Sequence, residues 1–101
     1  SAEKEDHVSM GTIAARKAHQ ILQNAQNVLA MEMLSASQAL DLLRPLKSSK
    51  SIEKLHAEIR RQVPFAKEDR VFSRDIEAIK KLMLDRKLIK AVVDVTGELE
   101  W

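Results

Sequence analysis

The longest run without a helix breaker decides most of what this chain can become. From Thr12 to Arg44 there is neither Pro nor Gly, and Pro45 then lacks the amide donor a helix needs. Within the run Ala15, Ala18, Leu22, Ala25, Leu29, Met33, Ala36, Leu40 and Leu43 recur at spacings of three and four, a continuous apolar stripe. Gln20, Gln23, Asn24, Asn27, Gln38 and Asp41 gather on the opposite side. The pattern predicts one helix over Val8–Leu43, roughly 50 Å long at 1.5 Å per residue, against the ~30 Å diameter of a small domain. Alternation of Ala with Leu or Met lets a second helix approach closely. Ile13, Met31 and Leu34 sit among the amides, and only Arg16, Lys17, Glu32 and Asp41 are charged between Val8 and Leu43. Such a helix belongs inside a bundle. The remaining residues are too few to cover it, so the chain reads as a piece of something larger or a subunit of an oligomer.

Three further segments follow. A polar turn, Arg44–Ser51, leads to a second helix over Ile52–Val63, with Ser51 as its N-cap and Glu53 in its first turn. Ile52, Leu55, Ile59 and Val63 form its apolar face, and Pro64 ends it. Phe65–Phe72 reads as an ordered loop tied by Glu68, Asp69 and Arg70. Ser73 then caps a third helix that turns Ile76, Ile79, Leu82 and Met83 inward. Leu88–Val95 fits either a helix or an extended tail, and Gly97 stops it. The fold class is all-α: one long helix followed by two or three shorter ones, a single helical segment over residues 1–101.

Composition narrows the chemistry. The absence of Cys in 101 residues excludes a disulfide scaffold, a cysteine zinc site and a cysteine nucleophile, and makes a cytoplasmic protein the default. The two glycines, Gly11 and Gly97, cannot build a phosphate-cradling loop. His7, His19 and His56 lack the spacing of metal ligands, so no metal is expected, and a surface or capping role is the plain reading of each. Residues 44–90 hold fourteen Lys/Arg against seven Asp/Glu, while residues 1–43 hold three against five. The opposite charges interleave there, and the run Lys80–Lys90 has no aromatic for base stacking, so nucleic acid is not an expected partner. Residues 18–31 are uncharged but broken by Gln20, Gln23, Asn24, Gln26 and Asn27, which argues against a membrane span. The opening Ser1–Asp6 is acidic and polar, unlike a signal peptide.

One run stands apart. Glu3, Glu5 and Asp6 suit a helix start on charge alone. Yet Glu5-Asp6-His7-Val8-Ser9-Met10-Gly11, followed by Ala14-Ala15-Arg16-Lys17, resembles a segment of the aromatic amino acid ammonia-lyases that enters a long central-bundle helix. Val63-Pro64, Asp69-Arg70 and Asp75-Ile76 resemble the C-terminal portion of the same enzymes. The resemblance implies the C-terminal portion of a longer lyase chain, partnered by the rest of that chain in a homotetramer. It implies elimination of ammonia by a methylidene-imidazolone electrophile made from an internal Ala-Ser-Gly. No such tripeptide occurs here, since Ala36-Ser37 is followed by Gln38, so the electrophile lies outside this sequence. Of the family's site residues only Glu5 is matched. Histidine-directed members carry Glu there, which implies L-histidine as substrate, its imidazole contacted by Glu5 as orienting group or acid/base. A carboxylate accepts from an imidazole N–H and stabilises its charged form, whereas against a phenyl ring it would be an unpaired buried charge. Glu3 and Lys4 depart from the Asn and Gln usual beside it. The alternative from another class is a noncatalytic helical oligomerisation or adaptor module.

Overall fold

The computed structural model describes the backbone of residues 2–66, 70 and 72–98, and within that range the side chains from Met10 onward. Four helices follow in order: α1, Ala2–Leu42; α2, Lys50–Gln62; α3, Ser73–Leu84; α4, Lys87–Thr96. No strand occurs among the described residues. The all-α expectation holds, with three shorter helices after the long one. At 1.5 Å per residue α1 runs about 60 Å, nearly the whole of the molecule's 67 Å long axis.

The short helices fold back as a cap on the second half of α1. α3 lies along α1, α4 lies along α2, and α3 also touches both α2 and α4. The core between them is small: Ala30 of α1, Ile59 of α2, Val63 after it, Ile79 and Leu82 of α3, and Leu88 of α4. Met33, Leu34, Leu55, Ile76, Ala78 and Met83 close around it. Each large aliphatic buried there stabilises the cap by roughly 1.5–3 kcal/mol.

The cap does not sit on the Ala/Leu stripe. Ala30 and Ser37 are buried, and Asn27, Leu34, Gln38 and Asp41 are half-buried, whereas Ala15, Ala18, Leu22, Ala25, Leu29 and Ala36 stay exposed. The covered line is centred roughly a quarter turn from the stripe at about 100° per residue, with Met33 and Leu40 at their shared edge. Small side chains decide this: Ala30 and Ser37 let α3 come close, and Gln38 beside them bonds to Ala66.

Helix ends correct several expectations. Ser49, not Ser51, caps α2, accepting a hydrogen bond from the Ile52 amide at 3.3 Å, while the Ser51 hydroxyl lies 3.2 Å from that of Ser49. Ser73 is the first residue of α3 rather than its cap; Phe72 precedes it without a side-chain capping bond. The open segment 88–95 is helical, because the chain breaks at Asp85–Arg86 and restarts. Arg86 takes a left-handed conformation, φ +60°, and Leu88 and Ala91 then turn inward. Gly97, φ +78°, ends α4 with its N–H donated to Val93 O at 2.8 Å.

Candidate functional site

Glu5 is the fourth residue of α1, in its first turn; its side chain is outside the described residues. The helix that carries it projects free of the cap. From Met10 to Ala25 every side chain is exposed, including Ile13, Ile21 and Leu22 at 52%, 68% and 56%. The run helicises on Ala-rich propensity, and its N-terminal acids suit the positive helix end. A carboxylate on such a rod can form one wall of a site but cannot enclose a substrate.

The described residues gather their polar chemistry at the other end of α1, about 50 Å from Glu5 at helical rise. Asp41 Oδ2 accepts from Arg60 Nε at 2.8 Å, and His56 Nε2 stands 3.0 Å from Asp41 Oδ1 without the alignment of a hydrogen bond. Arg44 donates both terminal nitrogens to Glu53, each at 2.7 Å, and the Ser48 amide adds a third bond at 2.9 Å. Burial pushes the Asp41 carboxyl up, but contacts with His56 and Arg60 outweigh it and leave it below its ordinary value. The Arg44 fork, with help from the Ser48 amide, lowers Glu53 to about 2. Arg60 also donates to Val63 O at 3.0 Å and stands over the Phe65 ring, 5.9 Å from its centroid. Ion pairs and hydrogen bonds join these side chains, although His56 Nε2 and Arg60 Nη2 are buried without a hydrogen-bond partner, and the cluster acts as a latch between α1 and α2.

The loop after α2 is held in the same way. Gln38 Nε2 donates to Ala66 O at 2.8 Å and Oε1 accepts the Ala66 amide at 3.3 Å. Arg70 donates to Asp75 at 2.9 Å and to Pro64 O at 2.6 Å. Of the three residues expected to tie this loop, Arg70 does so, while Glu68 and Asp69 lie outside the described residues. Sequence reasoning placed Asp41 and Gln38 on the amide-bearing side of α1 without naming their partners, and missed the latch by giving His56 a surface or capping role. The signal was present: His56 and Arg60 stand four apart on one face of α2, two N–H-bearing side chains that ask for an acceptor.

Nothing else among the described residues forms a reaction centre. No group of three acidic or His side chains is placed to hold a metal ion, and no helix is long and apolar enough to cross a membrane. His19 is exposed beside a groove between α1 and α3; the side chain of His7 lies outside the described residues. Ser37, in the one Ala-Ser pair that resembles the electrophile's tripeptide, is buried in α1 at 3% exposure and followed by Gln38. The residues present therefore do not fit a methylidene-imidazolone.

The family model for aromatic amino acid lyases matches residues 1–61. A histidine ammonia-lyase of Natranaerobius thermophilus is 47% identical over 100 residues, which cover 99% of this chain and 20% of that protein. One from Symbiobacterium thermophilum is 46% identical over 100 residues, again 99% and 20%. One from Legionella pneumophila is 45% identical over 98 residues, 97% and 19%. The chain thus spans about a fifth of the length of these curated relatives. No solved structure matches it.

Proposed function

The chain belongs to the aromatic amino acid lyase family, and on that premise we propose that it is the C-terminal portion of a histidine ammonia-lyase. Such an enzyme eliminates ammonia from L-histidine to give urocanate, a step of histidine catabolism. The observation that carries this reading is the near-complete coverage of the chain by proteins named histidine ammonia-lyase. The site wall is Glu5, whose carboxylate accepts from the substrate imidazole N–H, orients the ring and stabilises its charged form. The other walls come from the rest of the lyase polypeptide and from neighbouring subunits, since the side chains of α1 from Met10 to Ala25 are all exposed. The exposed stripe Leu22–Leu29 supports a homotetramer built on a helical bundle, with residues 1–101 contributing one helical segment. The electrophile is made from an Ala-Ser-Gly elsewhere in the polypeptide, and none of this chain's residues takes part in forming it. A noncatalytic adaptor module would use the stripe equally well, but it leaves the run Glu5–Gly11 without a purpose.

Glu5→Gln in the full-length enzyme tests the reading. The variant keeps size and polarity and removes the charge. A charged hydrogen bond is worth about 1.5–3 kcal/mol, so kcat/KM for histidine should fall roughly ten- to a hundredfold. Melting should shift by less than the ~1 kcal/mol of a first-turn acid. Unchanged histidine kinetics would overturn the assignment of Glu5. The isolated 101 residues should form no urocanate, followed by its ultraviolet absorbance, because they lack the electrophile; turnover by the pure chain would refute that division of roles.

A further inference from the structure

The second face of α2, turned away from the latch, meets α4 along an open groove of about 300 Å³. Lys54 and Arg61 of α2 and Lys87 and Lys90 of α4 line it over buried Ala91, with Glu58 and Asp94 as its only carboxylates. Glu58 is taken by Arg61 at 3.3 Å. Among the described residues none of the three lysine ammoniums lies within ion-pair distance of a carboxylate, although Lys54 and Lys90 each have one four residues on. Lys87 and Lys90 stand three apart on one helix face, where like charges repel. A concave surface with two more positive than negative groups concentrates anions.

We propose that this groove binds a small oxyanion of the phosphate or pyrophosphate class. The site has the room, since one water occupies about 30 Å³ of liquid, so a diphosphate and several waters fit. It has the donors: three ammoniums, each with up to three N–H bonds, and a guanidinium whose outer nitrogens match an oxyanion's geometry. It has no aromatic side chain, so a nucleobase gains nothing by stacking there. Binding joins α2 to α4 across the groove and relieves the repulsion between Lys87 and Lys90. The site is independent of the lyase reading, because Glu5 lies on the other helix and far from α4.

The test is titration calorimetry of the full-length protein at low ionic strength with inorganic phosphate and then pyrophosphate, against sodium chloride of equal ionic strength. The expected result is saturable binding at one site per chain, tighter for pyrophosphate and absent with chloride. The double variant Lys87→Gln/Lys90→Gln should weaken it at least tenfold, since each lost charge-assisted contact is worth about a decade. Lys81→Gln, which removes an exposed cation of α3 outside the groove, should bind like the parent. Circular dichroism of the double variant checks that the helices persist; all these side chains are exposed, so they should. Lack of saturable binding, an equal response to chloride, or undiminished binding by the double variant would overturn the proposal.

Discussion

The two halves of α1 share one helix and one composition but not one environment. From Met10 to Ala25 every side chain is exposed, with His19, Leu22 and Gln23 lining only an open groove beside α3. From Gln26 to Leu42 the same helix receives α3, the loop at Ala66 and the polar face of α2. The packed half has its stability supplied locally, by six buried apolar side chains and a latch. The projecting half has good helix formers and exposed Ile13, Ile21 and Leu22. A helix apolar round so much of its circumference is a buried helix by design. The cap folds on its own side chains, whereas the projecting half leaves its apolar side chains exposed.

The largest contrast should come from one kind of truncation made in both halves. Ile79→Ala removes a fully buried side chain and should cost about 2–5 kcal/mol. That is a large share of the ~5–15 kcal/mol that holds a domain together. Leu22→Ala, at 56% exposure, should change the stability of the 101-residue chain by about 0.5 kcal/mol or less. Urea denaturation followed by circular dichroism at low micromolar concentration measures both. Raising the concentration should reveal self-association through Leu22 and Leu29, because both lie exposed on one apolar stripe of α1. Light scattering showing a monomer at high micromolar concentration, with Leu22→Ala as costly as Ile79→Ala, would break the comparison.

The latch gives a smaller effect with a pH signature. Asp41→Asn keeps the shape but leaves Arg60, at 14% side-chain exposure, without its counter-charge and sets a neutral amide beside the half-buried His56. The expected cost is about 1–3 kcal/mol, confined to the cap. Asp41 and Glu53 are both held below their ordinary values, so they stabilise the fold fully above the normal carboxylate range. That contribution is lost as pH falls, for Glu53 between its usual 4.5 and about 2. Acid unfolding of the parent should therefore steepen in that window, and Glu53→Gln should flatten it. A parent and variant with parallel acid limbs would show that the Arg44–Glu53 fork contributes nothing.

These sites also mark how far the sequence could be read. The long helix, its stop at Pro45 and the apolar faces of α2 and α3 follow from periodicity, because a core face repeats along a helix whatever it packs against. Which face of α1 the cap chooses does not follow. The Ala/Leu stripe is the more apolar, yet Ala30, Ser37 and the bonding capacity of Gln38 and Asp41 win, a choice fixed by partners distant in sequence. Capping failed for a local reason: Ser48, Ser49 and Ser51 all suit an N-cap, and only the backbone at Ser49, φ −60° and ψ 160°, selects one. The break before α4 carries no Gly or Pro, so the segment after it could not be told from a tail. Glu5 was legible only through its neighbours in the run to Gly11, since a lone first-turn acid has no signature of function.

That unmarked break supplies the last and smallest test. α4 enters through Arg86 at φ +60°, ψ 18° and leaves through Gly97 at φ +78°, ψ −178°. Both ends need a positive φ, the first in the left-handed helical region and the second in a region open essentially to glycine. A non-glycine residue held there is strained by roughly 1–2 kcal/mol. Glycine avoids the strain but surrenders more backbone entropy on folding, roughly 0.5–1 kcal/mol. Gly97→Ala should therefore destabilise the cap by about 1 kcal/mol, the larger of the two changes. Arg86→Gly should stabilise it by a few tenths to about 1 kcal/mol, since the exposed Arg86 side chain makes no ion pair among the described residues. Hydrogen exchange locates the effect: amides of α2–α4 should gain protection in Arg86→Gly while those of residues 10–25 stay unchanged. Protection rising along the whole of α1 would mean that the two halves are one cooperative unit, and the division between them would fail.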